Sequence, residues 1–425
     1  MKFEKHTLKN GLRIVLVPQK NVLSATVLVL VKTGSKYETK NISGISHFLE
    51  HLLFKGTKKR PNAISIAEPL DRVGGQYNAF TGEEYTGYYA KVDEKNFDLA
   101  LDIISDIYMN SKLDLKEVER ERGVIIEEIN MYHDHPTYYV QNLWTELLYG
   151  DQPAGWDIAG TKETVQGIKR EDIKKYLEKQ YVASNTVVCL AGNFNNSNIK
   201  NKVEKYFSKI RNTSPSEKIQ VVENQDSPQT LIHYRKTDQT HFCLGARGYN
   251  FFDQRKYQME VLSVLLGGMM SSRLFVKVRE RLGLAYYIRT ETSFESDTGF
   301  LVTRAGVRND KAKKAIGVIL KEYRDISRKK ITKEELSKVK DHLKGKMALS
   351  LELSDSRASF FGLQELLKKE ILTPREIYDK IDKVKEEDVL NVAKDIFKPE
   401  KLNLALIGPF KEKDSFSKIW KKENY

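Results

Sequence analysis

The sequence predicts an α+β fold made twice: two homologous repeats, each an antiparallel sheet with helices packed mainly on one face. Three observations carry this. The short Val-, Ile-, Leu- and Thr-rich runs are gathered apart from the long amphipathic stretches, which favours antiparallel sheets with helices layered on one side. The closing segments recur at one offset: Glu171-Asp172-Ile173 returns as Glu387-Asp388-Val389, and Ala191-Gly192-Asn193-Phe194 as Ile407-Gly408-Pro409-Phe410, both 216 residues on. Between the copies lie two linker-like stretches, Asn212-Thr213-Ser214-Pro215-Ser216 and Asn224-Gln225-Asp226-Ser227-Pro228. The division expected is a first domain at 1–211, a linker at 212–228 and a second domain at 229–425.

Taken in order, 12–17 and 25–31 read as the two strands of a hairpin within 11–34, the second apolar enough to be central. A helix around His47 follows. Gly74-Gly75 precedes strands at 76–80 and 85–92, joined across Thr81-Gly82-Glu83-Glu84. Residues 95–110 place Phe97, Ala100, Leu101, Ile104 and Ile107 on one helical face. A charged helix covers 115–133, and 137–149 and 171–181 are helical. Strand 186–192 closes the unit before a helix at 197–210. In the second copy, 242–248 resembles the strand ending at Gly34. Residues 309–323 repeat 94–108, with Ala315 for Ala100, Ile319 for Ile104 and Tyr323 for Tyr108. The tail, 420–425, reads as a frayed end.

Bulk properties remove several functional classes. With 40% hydrophobic and 30% charged residues over 425 positions, the chain has the composition of a soluble globular protein with a large core. No run of eighteen apolar residues appears, so no transmembrane helix is expected. The start, Met1-Lys2-Phe3-Glu4-Lys5-His6, has no apolar segment behind its charges, so no signal peptide is expected and a cytoplasmic location follows. Cys189 and Cys243 each lie in an apolar strand-like run and read as buried, reduced thiols. The net charge of +13 raises nucleic-acid binding, but the lysines are interleaved with acids, and Arg328-Lys329-Lys330 is a short cluster and no tail. A solvated basic surface, with no nucleic-acid and no membrane partner, is the expectation.

The chemistry concentrates in Gly44-Ile45-Ser46-His47-Phe48-Leu49-Glu50-His51-Leu52-Leu53-Phe54. On a helix, His47 and His51 at i and i+4 share a face and can turn both imidazoles to one metal ion, with Glu50 close by. The apolar residues around them predict a buried helix, where imidazoles and a carboxylate are costly unless paired or metal-bound. The order H-x-x-E-H is the inverzincin motif. In the second copy the corresponding stretch, Val261-Leu262-Ser263-Val264-Leu265-Leu266, has neither histidine nor acid. The fold therefore packs without them, and only the first copy can hold a metal there.

A catalytic zinc takes three protein ligands and an open position. The acidic stretch from Glu117 to Ile129 offers Glu121 and Glu128, two helical turns apart on one face, with Val124 and Ile125 between them and Ile126 and Ile129 at the flanks. The second copy has Lys338 and Gly345 about there. From spacing alone two readings stand: ligand-bearing acids facing inward, or a charged helix laced by its own Arg–Glu pairs.

His47-Phe48-Leu49-Glu50-His51 followed some 77 residues later by Glu128 resembles the pitrilysin/insulysin/mitochondrial processing peptidase family of zinc peptidases, specifically its short, single-chain, bacterial-type members, over nearly the whole chain including the duplication. The resemblance implies one zinc ion per chain held by His47, His51 and Glu128, Glu50 as the general base, and Glu121 as an acid supporting the site. Glu127 is the alternative third ligand, one residue out of register; the family pattern and the Glu121 face both favour Glu128. In Arg279-Glu280-Arg281-Leu282-Gly283-Leu284-Ala285-Tyr286, the family's substrate-gripping pair falls on Arg279 and Tyr286, which the residues alone would rank as a surface arginine and a packed tyrosine. Asn78-Ala79-Phe80 resembles the edge-strand segment that pairs with extended substrate. The implied function is a zinc-dependent endopeptidase acting on short or unfolded peptides. The two non-identical copies suggest a chamber or cleft with the metal on one wall and Arg279 and Tyr286 on the other, and family members of this length imply a homodimer or a pair with a related chain.

Other histidines fit bland roles. His133 and His135 flank Asp134 as a helix-end cluster before Pro136, and His6, His233, His241 and His342 are isolated. Two rival functions remain, a non-catalytic binding subunit and a nucleic-acid-binding protein. The intact ligand set opposes the first, and only charge supports the second.

Overall fold

The computed structural model describes residues 1–368, 370–411, 416 and 418–420. The chain forms two units. The first comprises Met1–Asn130, Trp156–Ile219 and Ala348–Thr373, and the second Met131–Gly155, Gln220–Met347 and the chain from Pro374 onward. Both are mixed α+β, each built on one sheet.

The first sheet has six strands: β1 (Glu4–Thr7), β2 (Arg13–Pro18), β3 (Ser24–Val31), β4 (Gln76–Thr81), β5 (Thr86–Asp93) and β6 (Thr186–Gly192), in the order β1-β2-β6-β3-β5-β4. The expected hairpin of β2 with β3 does not form. β6 lies between them, parallel to β2 (Val15 opposite Cys189) and antiparallel to β3 (Leu28 opposite Cys189). The reason is burial: every residue of β6 is buried, and a strand apolar on both faces takes a central place with a partner on each side. β4 and β5 form the expected hairpin, and β4 is an edge.

One face of this sheet carries the unit's main core, which includes Val27, Val29, Tyr88, Ala100, Leu101, Ile104 and Ile107. The other face is apolar too, through Val15, Val17, Leu28, Leu30, Val187, Cys189 and Ala191, and the Ser354–Leu367 helix covers it with Ala358, Phe361 and Leu366. That helix approaches closely at Gly362, where a Cβ would stand 2.8 Å from Leu30 Cδ1 and 3.1 Å from Cys189 Cβ. The contiguous division at 211 and 229 thus misses an exchange. Segment 348–373 builds the first unit and segment 131–155 the second, because each sheet has two apolar faces and its own repeat supplies helices for one.

The second sheet has β7 (Gln229–Tyr234), β8 (Gln239–Arg247), β9 (Ala285–Phe294), β10 (Gly299–Arg308) and β11 (Leu402–Gly408), in the order β7-β11-β8-β10-β9. Here too one pair is parallel, β7 with β11. The Pro136–Tyr149 helix packs Leu143, Trp144 and Leu148 on one face with Cys243, Val302 and Ile407. Cys189 and Cys243 are buried free thiols, as expected. Among the described residues no helix is long and apolar enough to cross a membrane. Trp420, read as part of a frayed end, is instead buried in the second core, with Nε1 donating to Thr230 Oγ1 at 2.9 Å; 421–425 lie outside the described residues.

Candidate metal centre

The Ile45–Leu53 helix divides cleanly into two faces. Ile45, Phe48, Leu49, Leu52 and Leu53 are fully buried and share one core with Val118, Ile125 and Ile129 of the Leu115–Asp134 helix. His47, Glu50 and His51 occupy the remaining face. On the longer helix, Glu121 and Ile125 are buried and Glu128 is half-buried, while Glu127 is exposed. Val124, expected on the inward stripe, is 47% exposed instead. At 100° per residue, position 124 falls about 100° from the centre of the buried arc made by Val118, Glu121, Ile125 and Ile129, and so outside it.

Three of these side chains converge. His47 Nε2 stands 3.6 Å, and His51 Nε2 3.4 Å, from one oxygen, Glu128 Oε2. The rings lie edge to face with centroids 4.6 Å apart. Ligands about 2.0–2.2 Å from a tetrahedral zinc are separated from each other by roughly 3.3–3.6 Å. Two imidazoles and a carboxylate at these separations fit that ion.

Burial and the neighbouring charges set the protonation of these groups. Burial pushes the His47 imidazole down to about 4; neighbouring His51 adds to the fall and Glu128 opposes it. Burial acts in the same direction on His51, but hydrogen bonds to Glu121 and Glu128 outweigh it and take that imidazole up to about 9. Burial raises the Glu50 carboxyl, with Thr81 and His51 pulling it back and Glu128 adding to the rise. A metal ligand has to be a neutral imidazole, so an ion bound here would displace the proton that Glu121 and Glu128 favour on His51.

Glu121 lies buried against His51 and Lys55. It is 2% exposed; Oε2 stands 3.2 Å from His51 Nδ1 and Oε1 2.9 Å from Lys55 Nζ. Burial would raise its carboxyl, but His51 and Lys55 hold it below its ordinary value. With Nδ1–H donated to Glu121, His51 leaves Nε2, the ring atom nearest Glu128, as the nitrogen that could bind an ion. His47 has no equivalent: its Nδ1 is buried without a hydrogen-bond partner among the described residues.

One member of the site escaped sequence reasoning. Thr81, the last residue of β4, donates through Oγ1 to Glu50 Oε2 at 2.5 Å. No spacing rule links positions 81 and 50; only the β4–β5 hairpin, which the sequence does show, brings that strand end near the helix. Asn78 lies exposed on the same edge strand, and its Oδ1 accepts from the Ala79 N–H at 2.9 Å. In the second unit, the Arg279 guanidinium sits over the rings of Phe275 and Tyr286, 4.8 and 5.7 Å from their centroids. Tyr286 is not packed: it is 79% exposed at the start of β9. The His133–His135 cluster has the helix-end character expected, with the His133 ring 4.5 Å from that of Tyr139.

Comparison with known proteins bears on this arrangement. Residues 13–162 match the family described as Insulinase (Peptidase family M16), and residues 167–343 the family described as Peptidase M16 inactive domain. The first match contains His47, Glu50, His51 and Glu128; the second lies mostly in the repeat that lacks them. A protein of Bacillus subtilis named an uncharacterized zinc protease is 38% identical over 96% of this chain and 98% of its own. One from Streptomyces coelicolor with the same description is 34% identical, over 96% and 90%. A crystal structure titled a protease from Helicobacter pylori matches with a TM-score of 0.90 and 27% identity, covering 96% of this chain and 99% of that one. A peptidase M16 inactive domain from Pseudomonas fluorescens shares the fold, with a TM-score of 0.88 at 15% identity over 96% and 99%. Built on two such units, the chain belongs to the insulinase family of peptidases, M16.

Proposed function

We propose that the chain is a zinc-dependent endopeptidase that hydrolyses short or unfolded peptides. The observation that carries this reading is the convergence of His47, His51 and Glu128 on one point, with the Glu50 carboxylate on the same helix face. His47, His51 and Glu128 would hold one zinc ion. When bound, zinc supplies Lewis acidity: it polarises a carbonyl and acidifies water. Glu50 takes a proton from the attacking water and delivers it to the leaving amine as the C–N bond breaks, so the water ends as a hydroxyl on the new acid and a hydrogen on the new amine. Thr81 holds one oxygen of Glu50, which directs the other toward that proton. Glu121 keeps the His51 ring in register. Asn78 and Ala79 lie on an open strand edge suited to pairing with an extended peptide, and Arg279 and the exposed Tyr286 are the further substrate contacts in this reading. The assembly that fits it is a homodimer or a pair with a related chain, in the cytoplasm.

The test is hydrolysis of a quenched fluorescent peptide library with and without a chelator, and with zinc restored. Chelator-sensitive cleavage recovered by zinc is expected. Glu50→Gln should retain about one zinc per chain and lose at least about a hundredfold in kcat, the lower range for a general base. Full activity in Glu50→Gln, or no chelator-sensitive cleavage across a broad library, would refute the reading.

A further inference from the structure

Behind the metal ligands lies a buried carboxylate for which neither the motif nor the mechanism accounts. Glu38 is 1% exposed and follows the short turn Ser35–Tyr37. Its Oε2 accepts from the Gly44 N–H at 2.7 Å and its Oε1 from the Ser46 N–H at 2.8 Å. These amides open the Ile45–Leu53 helix, whose first N–H groups have no partner within it. Most helices close this end with the side chain of the N-cap residue. Here the N-cap is Gly44, at φ +94°, and a Cβ there would stand 2.4 Å from the carbonyl oxygen of Ala159. A Ser, Asp or Asn cannot take that position, so the cap has to come from elsewhere in the chain, and Glu38 supplies it.

The same turn is held a second time. Ser46 Oγ is 2.8 Å from the hydroxyl of Tyr176, which is itself 2.7 Å from Thr33 Oγ1 on the sheet side. Ser46 is therefore fixed through both its backbone and its side chain, one residue before His47. The helix is nine residues long, and His47, Glu50 and His51 all lie within two turns of that anchor. A displacement at its first turn carries straight into the side chains that must converge on Glu128.

We propose that Glu38, with Tyr176, is a positioning residue for the metal centre: it caps the helix that bears His47, Glu50 and His51 and thereby sets where those side chains stand. The inference rests on the functional reading above. The experiment compares wild type, Glu38→Gln and Tyr176→Phe, each checked for folding by circular dichroism. Three quantities are read: zinc affinity by competition with a chromophoric chelator, the visible spectrum of the Co2+-loaded protein, and kcat and KM on a quenched peptide. Gln keeps the shape of Glu38 but puts an N–H where one amide must donate. Zinc affinity about tenfold weaker or more is expected, the usual scale for groups that orient ligands. An altered Co2+ spectrum should accompany it, with a lower kcat and KM within about twofold, since uniform substrate binding is not touched. Tyr176→Phe should show the same signs to a smaller degree, and it decides the matter if Glu38→Gln does not fold. Folded variants with wild-type zinc affinity, spectrum and kcat would overturn the proposal while leaving the peptidase reading intact. A wild type that neither binds zinc nor cleaves would remove both.

Discussion

Thr81→Val separates the orientation of Glu50, the general base in the proposed function, from its presence. Valine keeps the branched shape of threonine at the end of β4 and removes only the hydroxyl that donates to Glu50 Oε2 at 2.5 Å. Thr81 is half-buried, so little packing changes. A hydrogen bond to a charged group contributes about 1.5–3 kcal/mol. If the carboxylate loses that tether, it must be ordered anew in the transition state, and the same energy appears in the barrier as roughly a ten- to hundredfold loss of kcat. Substrate does not touch the hydroxyl in this scheme, so KM should stay within about twofold. Thr81→Ser retains the donor and should recover most of the rate. The assay is steady-state cleavage of a quenched peptide by both variants, with zinc content measured in parallel to show that the ligands are undisturbed. Wild-type kcat in Thr81→Val, or equal losses in the Ser and Val proteins, would refute the reasoning: the first because the tether would be idle, the second because the hydroxyl would not be what matters.

Two further predictions concern stability. Phe361→Ala should destabilise by about 3–5 kcal/mol and lower Tm by on the order of 10 °C, because Phe361 is fully buried beside Val15, Leu28 and Cys189 on the second face of the first sheet; a thermal melt within 2–3 °C of wild type would show that segment 348–373 does not belong to that unit. Burial alone would raise the Asp102 carboxyl, but the hydrogen bonds from Lys59 and Arg60 hold it below its ordinary value. Its folded pKa therefore lies under its unfolded one, so its contribution is complete above the unfolded value and is lost as pH falls through the folded one. The stability measured by denaturant unfolding should fall less steeply between pH 6 and pH 3 in Asp102→Asn than in wild type, by about 1 kcal/mol, for a half-buried carboxylate that keeps contact with solvent.

What the residues reveal in advance follows the range of the forces involved. The i, i+3, i+4 spacing of His47, Glu50 and His51 is a property of one helix, so the shared face is legible locally. Glu121 and Glu128 are legible for the same reason, while Val124 shows the limit: it looks inward on a coarse stripe and is exposed in a real 100° progression. The duplication is legible because the offset repeats in sequence. Pairing at a distance is not. Nothing near residue 15 announces that its neighbour is Cys189, so a local hairpin is read where β6 inserts. The covering helix Ser354–Leu367 escapes for the same reason, as does Trp420, whose burial depends on Thr230 and the second core.

The partners of the site's acids show how the first unit tolerates charges that its repeat omits. Each would be costly if buried alone. Glu121 is held by His51 and Lys55, Glu50 by Thr81, and Glu38 by two helix amides. At the equivalent place the second repeat buries Leu262, Leu265 and Leu266, which need no such support. The motif at residues 47–51 therefore implies a second set of residues as strongly as it implies a metal: wherever a carboxylate is retained inside this fold, another stretch of chain must supply its donor. The residues that support the centre from outside the ligand set, Glu38, Thr81 and Glu121, come from the turn before the helix, from an edge strand and from a helix some 70 residues away. A substitution at any of them should disturb the centre without touching a ligand, and a transplant of His47-Phe48-Leu49-Glu50-His51 into the second repeat should not create a site, since the Lys333–Ser350 helix there offers Lys338 and Gly345 where Glu121 and Glu128 stand.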